Sequence, residues 1–264
     1  MVSITRNMIE RATRSWVFRR RLPAQFGNAS LFVTPSAGLK YLFKANEKLD
    51  PPLLRNVIEL IRENDVVWDI GANVGLFSFA AAARTGRGGH IIAFEPDTWL
   101  AQLLSRSCAL QPPSSGKVTV IPVAVASQVS LRSFWIARRS RAMNALAEYG
   151  SAKLRGVSGE QTVPAFNLDF LLTVLPPPKI IKCDVEGAEV EVFHNQNKML
   201  DDIRPVIICE VSNKNAAAIT RLFREKMYYL YDGDCSLTGQ EEIELATWNT
   251  IALPSECRQE YLAS

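Results

Sequence analysis

The sequence predicts an α/β fold, a mostly parallel sheet with helices on both faces, on three observations. From residue 66 onward, short apolar runs rich in β-branched residues alternate with amphipathic segments of helical period, the pattern of successive parallel β-α-β units. Glycine and proline clusters fall between these runs, as at residues 85–89, 111–116 and 176–178, where they stop helices and open turns. Two late apolar runs, 228–231 and 247–253, have no convincing helix between them. They are expected as antiparallel neighbours, which makes the sheet mixed.

Taken in order, residues 66–69 form a short buried strand and 76–84 a helix ended by the glycine-rich 85–89. A second strand covers 90–95 and cannot extend past Pro96. Residues 98–110 are an amphipathic helix with Asp97 or Thr98 as its cap. Residues 118–125 are a third strand, which Pro122 places near an edge or a bend. The block 127–166 breaks the alternation. Residues 131–137 alternate like a half-exposed strand, 140–150 read as a loop with one helical turn, and 161–166 as another short strand. Such an interruption is expected to carry a specificity element. Regularity returns with a helix capped by Asn167 and stopped by Pro176, a fourth strand over 179–184 and a helix beginning at Gly187. A fifth strand over 204–210 and a helix over 216–227 follow.

A chain of 264 residues suits one large α/β domain, or a domain with an extra N-terminal element. Its net charge of +3 gives no general argument for a nucleic-acid partner. The five cysteines are scattered without a C-x-x-C pair, which points to a reducing compartment without a zinc site or disulfide framework. No apolar run reaches the ~20 residues of a membrane span, and residues 1–21 lack the apolar stretch of a secretory signal. A soluble, cytoplasmic protein is expected. The basic, partly amphipathic N-terminus reads as a packed helix or a loose arm, and at most as a peripheral contact with an anionic membrane or partner.

The chemistry gathers at strand ends, where open α/β sheets bind ligands. The first strand runs into DIGANVG over 69–75. Gly71 and Gly75 allow a tight turn and close backbone approach. The spacing is not the dinucleotide G-x-G-x-x-G, and Asp69 before the turn suits a ligand carrying an ammonium or sulfonium better than a phosphate. The second strand ends in Glu95, where an acid accepts hydrogen bonds from ribose hydroxyls. An acid–glycine turn followed by a ribose acid points to S-adenosyl-L-methionine. Asp184 and Glu186 close the fourth strand and Glu210 the fifth. One such acid is explained by capping the next helix. Acids at four strand ends imply a cationic ligand, a metal, or a raised pKa in at least one of them.

DIGANVGLFS (69–78), AFEP (93–96), IPVAVAS (121–127), TVPAFNLDFLL (162–172), IIKCDVEGAE (180–189) and VIICEV (206–211) occur in that order. Together they resemble the FkbM-type methyltransferases, a branch of the class I S-adenosylmethionine-dependent enzymes, across roughly residues 50–253. The resemblance implies a Rossmann-like, seven-stranded sheet with its last strand antiparallel, and O-methylation of a sugar, glycan or natural-product hydroxyl. It also implies that Asp69, Gly71, Asn73 and Gly75 shape the methionine end of the cofactor pocket and that Glu95 holds the ribose. Pro96 turns beneath the adenine, and Ala124 or Val125 flanks it. Asp184 and Glu186 lie beside the transferable methyl. The family's short N/S-S-L motif resembles residues 143–146, but with Ala145 in its middle, which leaves Asn144 without a clear role.

The domain expectations are an N-terminal arm and accessory segment over 1–49, a methyltransferase domain over 50–256 with an acceptor-specificity insertion at 127–166, and a tail over 257–264. A hydroxyl acceptor benefits from a base; Asp184 is the first candidate and Glu210 the second, with Glu186 beside them. His194 is expected to be structural, and His90 sits at the opposite end of its strand. Asp184, Glu210 and Asn213 could instead hold a divalent cation through oxygens, but the resemblance demands no metal. The rival readings are a methyltransferase for nucleic acid or protein, a catalytically silent S-adenosylmethionine-binding module, and a nicotinamide-dependent oxidoreductase. The last lacks its phosphate fingerprint.

Overall fold

The computed structural model describes residues 16–38, 40–138, 140–149 and 156–263. Seven strands form the central sheet: β3 (Val66–Ile70), β4 (His90–Phe94), β5 (Lys117–Ile121), β10 (Ile180–Cys183), β11 (Val206–Glu210), β12 (Tyr228–Asp232) and β13 (Asn249–Pro254). Their spatial order is β12-β13-β11-β10-β3-β4-β5. The pairs β10–β11, β10–β3, β3–β4 and β4–β5 are parallel. Strand β13 runs antiparallel to both its neighbours. The order reverses beside β3, so its C-terminal end opens a crevice of the kind that binds ligands in doubly wound sheets.

The period of two along each strand sends alternate residues to opposite cores. Val67, Ile91 and Ala93 join one cluster, and Trp68, Ile70, Ile92 and Phe94 the other. The first cluster takes in the helices α2 (Pro51–Leu60), α3 (Leu76–Thr85) and α4 (Thr98–Cys108). The second takes in α5 (Leu168–Leu171), α6 (Glu189–Phe193) and α7 (Ala216–Glu225). Asp97 caps α4, accepting from the amides of Trp99 and Leu100. Asn167 caps α5 through the Phe170 amide.

Three regions depart from the sequence expectations. The expected third strand is two: β5 stops at Ile121 before Pro122, and β6 (Ala124–Val125) leaves the main sheet. It pairs with β9 (Val157–Phe166) in a second sheet of order β6-β9-β7-β8, where β7 is Ser130–Ala137 and β8 is Ala145–Leu146. The interruption is therefore a small sheet of its own, with a 3-10 turn at Arg141–Met143. Its core holds Phe134, Ile136, Leu146 and Val163.

The described part of the expected N-terminal arm and accessory segment packs into the core. Residues 1–15 lie outside the described residues, and so does most of the expected membrane-contacting stretch. Phe18–Arg21 forms β1, antiparallel to β2 (Ser30–Val33). Leu22, Phe26, Leu31, Val33, Tyr41 and Leu49 share the first core cluster with the α3 and α4 residues. The short helix α1 (Lys40–Phe43) follows. At the other end, Arg258–Leu262 forms α8 with Tyr261 buried, where a tail was expected. No helix among the described residues is long and apolar enough to cross a membrane.

Candidate functional site

The turn after β3 sets the geometry. Gly71, Asn73 and Gly75 all have positive φ (76°, 54° and 88°), a region open to glycine and tolerated by asparagine. Internal packing requires both glycines. A Cβ on Gly71 would overlap the carbonyl oxygen of Asp184, and one on Gly75 would stand 2.7 Å from the Phe79 ring. Gly71 thus lets the turn lie directly against the end of β10.

Two cavities open at this rim. The first holds about 60 Å³ of enclosed space, about 600 Å³ when the open solvent at its mouth is included, and is lined by Gly71, Asn73, Glu95, Pro96, Ala124, Val125, Asp184 and Glu186 among others. The small sheet and its turn supply another wall through Phe134, Arg141, Asn144 and Leu146. The second, about 200 Å³ of enclosed space and about 700 Å³ with the open solvent included, lies between the strand ends and the N-terminal segment. Its lining includes Lys40, Tyr41, Asp50, Lys182, Asp184 and Glu210. Asn73, Ala142, Asp184 and Glu186 border both cavities. Glu186 holds a positive φ of 51°, which costs a residue with a Cβ about 1–2 kcal/mol. That strain sits where the cavities meet.

Two predicted residues do not face either cavity. Asp69 is fully buried. One of its oxygens accepts from Ser78 Oγ at 2.5 Å and the other lies 3.4 Å from Lys182 Nζ. It braces the turn from behind. Gly75 is enclosed by Phe79 and Leu104. Glu95 lines the first cavity but is only 5% exposed. Its oxygens accept from the Asn73 amide at 2.7 Å and the Asp97 amide at 2.8 Å. Burial, partly offset by these amides, raises its pKa to about 8.

Sequence reasoning left Lys182 without a role. It is almost fully buried, beside Asp69 in the β10–β3 register. Its ammonium donates to Gly71 O at 3.0 Å and lies 3.4 Å from both Asp69 and Asp184. Burial opposes its charge, but Asp69, Asp184 and Glu210 together raise its pKa. The available signal was a lysine inside an apolar strand, which must find acids. Glu210, which also faces the second cavity, has a raised pKa. Burial, then the charge of Asp184, push it to about 8 against the opposing pull of Lys182. Asp184, the first candidate for base, keeps 28% of its side chain exposed and pairs with Lys182.

Asn144, which the motif comparison left without a role, is buried and well bonded. Its amide donates to Asp97 at 2.7 Å and its oxygen accepts from Ala137 N at 2.8 Å. Arg141 ion-pairs with the same Asp97 and stacks over Trp99, 4.8 Å from the ring centroid. The turn over the first cavity is therefore clipped to the cap of α4. His90 bonds to Thr119 at 2.9 Å, away from the rim. Among the described residues, no three His, Cys, Asp or Glu side chains group to hold a metal ion.

The first cavity fits the expected S-adenosylmethionine. Asn73 Oδ1 is buried without a hydrogen-bond partner, so it offers an acceptor to an ammonium or hydroxyl. Each Glu95 oxygen retains a lone pair after taking one amide, enough for ribose hydroxyls. Pro96, Val123 and Ala124 give an apolar slot beside them.

Hexuronic acid methyltransferase AglP from Haloferax volcanii is 25% identical over 178 residues, covering 66% of this chain and 67% of its own. A solved methyltransferase FkbM from Methylobacillus flagellatus KT aligns at TM-score 0.45 and 12% identity, over 78% of this chain and 51% of that one. A precorrin-6y C5,15-methyltransferase from Geobacter metallireducens GS-15 aligns at 0.43 and 13%, over 77% and 86%. The model of the methyltransferase FkbM domain matches residues 69–233, well over half of the chain. The protein is an S-adenosylmethionine-dependent methyltransferase and belongs to the FkbM methyltransferase family.

Proposed function

We propose that the protein methylates a hydroxyl of a sugar, glycan or natural product. The observation that carries this reading is the second cavity. It meets the first at Asn73, Ala142, Asp184 and Glu186, and it presents Glu210. A sugar methyltransferase among its relatives supports the acceptor class.

The cofactor supplies a methyl group already activated by its sulfonium. The protein has to orient the hydroxyl, exclude water and accept a proton. Asn73 and Glu95 hold the cofactor, with Gly71, Pro96 and Ala124 shaping its slot. Asp69 and Lys182 keep the turn rigid, and Gly75 seats it on α4. Glu210 is the base. Its raised pKa, about 8, is matched to proton transfer near neutral pH. Asp184, tied to Lys182, orients the acceptor hydroxyl and keeps Glu210 basic by like charge. Glu186 lines the junction and completes the polar surface around the hydroxyl. The N-terminal segment supplies the acceptor wall, and the 127–166 insertion covers mainly the cofactor side. The reading includes a cytoplasmic setting, supported by five free cysteines.

The test is calorimetry with S-adenosylmethionine, then transfer of a labelled methyl group to a panel of glycosides. Micromolar cofactor binding with turnover of at least one glycoside is expected. Tight binding with no turnover across sugars and hydroxylated natural products would leave a silent binding module instead.

A further inference from the structure

We propose that the second cavity selects an uncharged sugar ring over the matching uronate, and that the Lys40–Asp50 pair sets this preference. The inference rests on the sugar-acceptor reading above and deepens it.

The charges in the cavity are already committed to one another. Among the described residues, the carboxyl side chains Asp50, Asp184 and Glu210 line the cavity together with two ammonium groups, Lys40 and Lys182. Lys40 is bound to Asp50 at 2.6 Å. Lys182 is held by Asp69, Asp184 and the Gly71 carbonyl. An acceptor carboxylate would have to break one of these pairs or lie among like charges, and both oppose binding. A hydroxyl meets no such conflict, because it donates to carboxylates and accepts from ammonium groups. Tyr41 and Phe77, both buried, add an apolar surface for the ring's C–H face.

The Lys40–Asp50 pair is not explained by local helix chemistry. Asp50 stands at the N-cap of α2 (Pro51–Leu60), yet its side chain caps no helix amide. Its carboxylate goes to Lys40 instead, at the cavity wall. Burial works against the Lys40 ammonium, but Tyr41, Asp50 and Asp184 hold its pKa above the usual value. The lysine therefore stays charged and stays occupied. Removing the Asp50 charge frees a cation inside the cavity.

The experiment uses methyl hexosides and their matching hexuronides in several ring configurations. Binding is measured by calorimetry on the full chain loaded with S-adenosylhomocysteine, and turnover as kcat/KM with S-adenosylmethionine. The hexoside should be bound and turned over at least about tenfold better than its uronide, roughly the discrimination of one unfavourable charge contact. Asp50→Asn keeps a hydrogen-bond acceptor for Lys40 and should raise the uronide-to-hexoside ratio about tenfold, with cofactor affinity unchanged. Should that variant not fold, Lys40→Gln leaves Asp50 unpaired and should sharpen rejection of the uronide. A uronide bound as well as its hexoside by the unaltered protein would overturn the proposal. So would an unchanged ratio in a folded Asp50→Asn protein. If no sugar of either kind bound while the cofactor still did, the sugar-acceptor reading would fail, and this inference with it.

Discussion

Glu210→Gln changes one proton-accepting oxygen and one ionisation while keeping the side chain's volume. Burial and the Asp184 charge raise the Glu210 pKa from 4.5 to about 8. The folded protein therefore holds a proton that the unfolded chain releases above about pH 4.5. By linkage, the contribution from this group is fully present below pH 4.5 and is lost as the pH rises through 8. At about 1.4 kcal/mol per pH unit the loss has a ceiling of about 5 kcal/mol. The cavity is open to solvent, and screening reduces the expectation to about 1–3 kcal/mol. Glu210→Gln has no such loss. Its melting temperature should match the parent near pH 4.5 and exceed it by about 3–8 °C at pH 9. Methyl transfer should meanwhile fall about 10²–10⁴-fold, the usual contribution of a positioned base, with cofactor affinity little changed. Scanning calorimetry between pH 4.5 and 9 and single-turnover transfer of labelled methyl groups give the two readouts. Parallel melting curves for the two proteins would refute the burial argument. An undiminished rate would move the base to Asp184.

Gly71→Ala places a Cβ against the Asp184 carbonyl at a positive φ. It should cost about 2–5 kcal/mol in denaturant unfolding and lower cofactor affinity, since the cofactor turn rests on β10. Glu95→Gln should weaken S-adenosylmethionine binding by about 1–3 kcal/mol in calorimetry, and unchanged affinity would remove Glu95 from the ribose. Arg141→Met breaks the ion pair to Asp97 but keeps an apolar stem over Trp99. Cofactor release in stopped flow should become about tenfold faster, with the acceptor KM moving less.

The rim of strand ends was readable because each apolar run stops at an acid or a proline, and strand ends are where such sheets bind. Glu95, Asp184 and Glu210 were found on that basis. Asp69 and Gly75 carry the same signal, but their outcome depends on packing. Ser78 and Lys182 claim the one, while Phe79 and Leu104 enclose the other. The wall of the second cavity was not readable. Lys40 and Asp50 lie in a stretch without sustained periodicity, and they reach Glu210 only through tertiary folding. Arg141 and Asn144 were obscured for a similar reason. Their partner Asp97 is more than forty positions earlier in the chain.

The β1–β2 hairpin lies against the cofactor-binding half of the molecule. Phe32 N donates to Ser107 Oγ in α4 at 2.8 Å, and Arg106 covers the Phe32 ring at 4.6 Å. From the same hairpin, Arg20 donates to the Lys44 carbonyl just beyond α1 (Lys40–Phe43). The proposed acceptor wall thus shares its support with α4. On the acceptor reading proposed above, a shortened chain beginning after Arg21 should discriminate less sharply among acceptors.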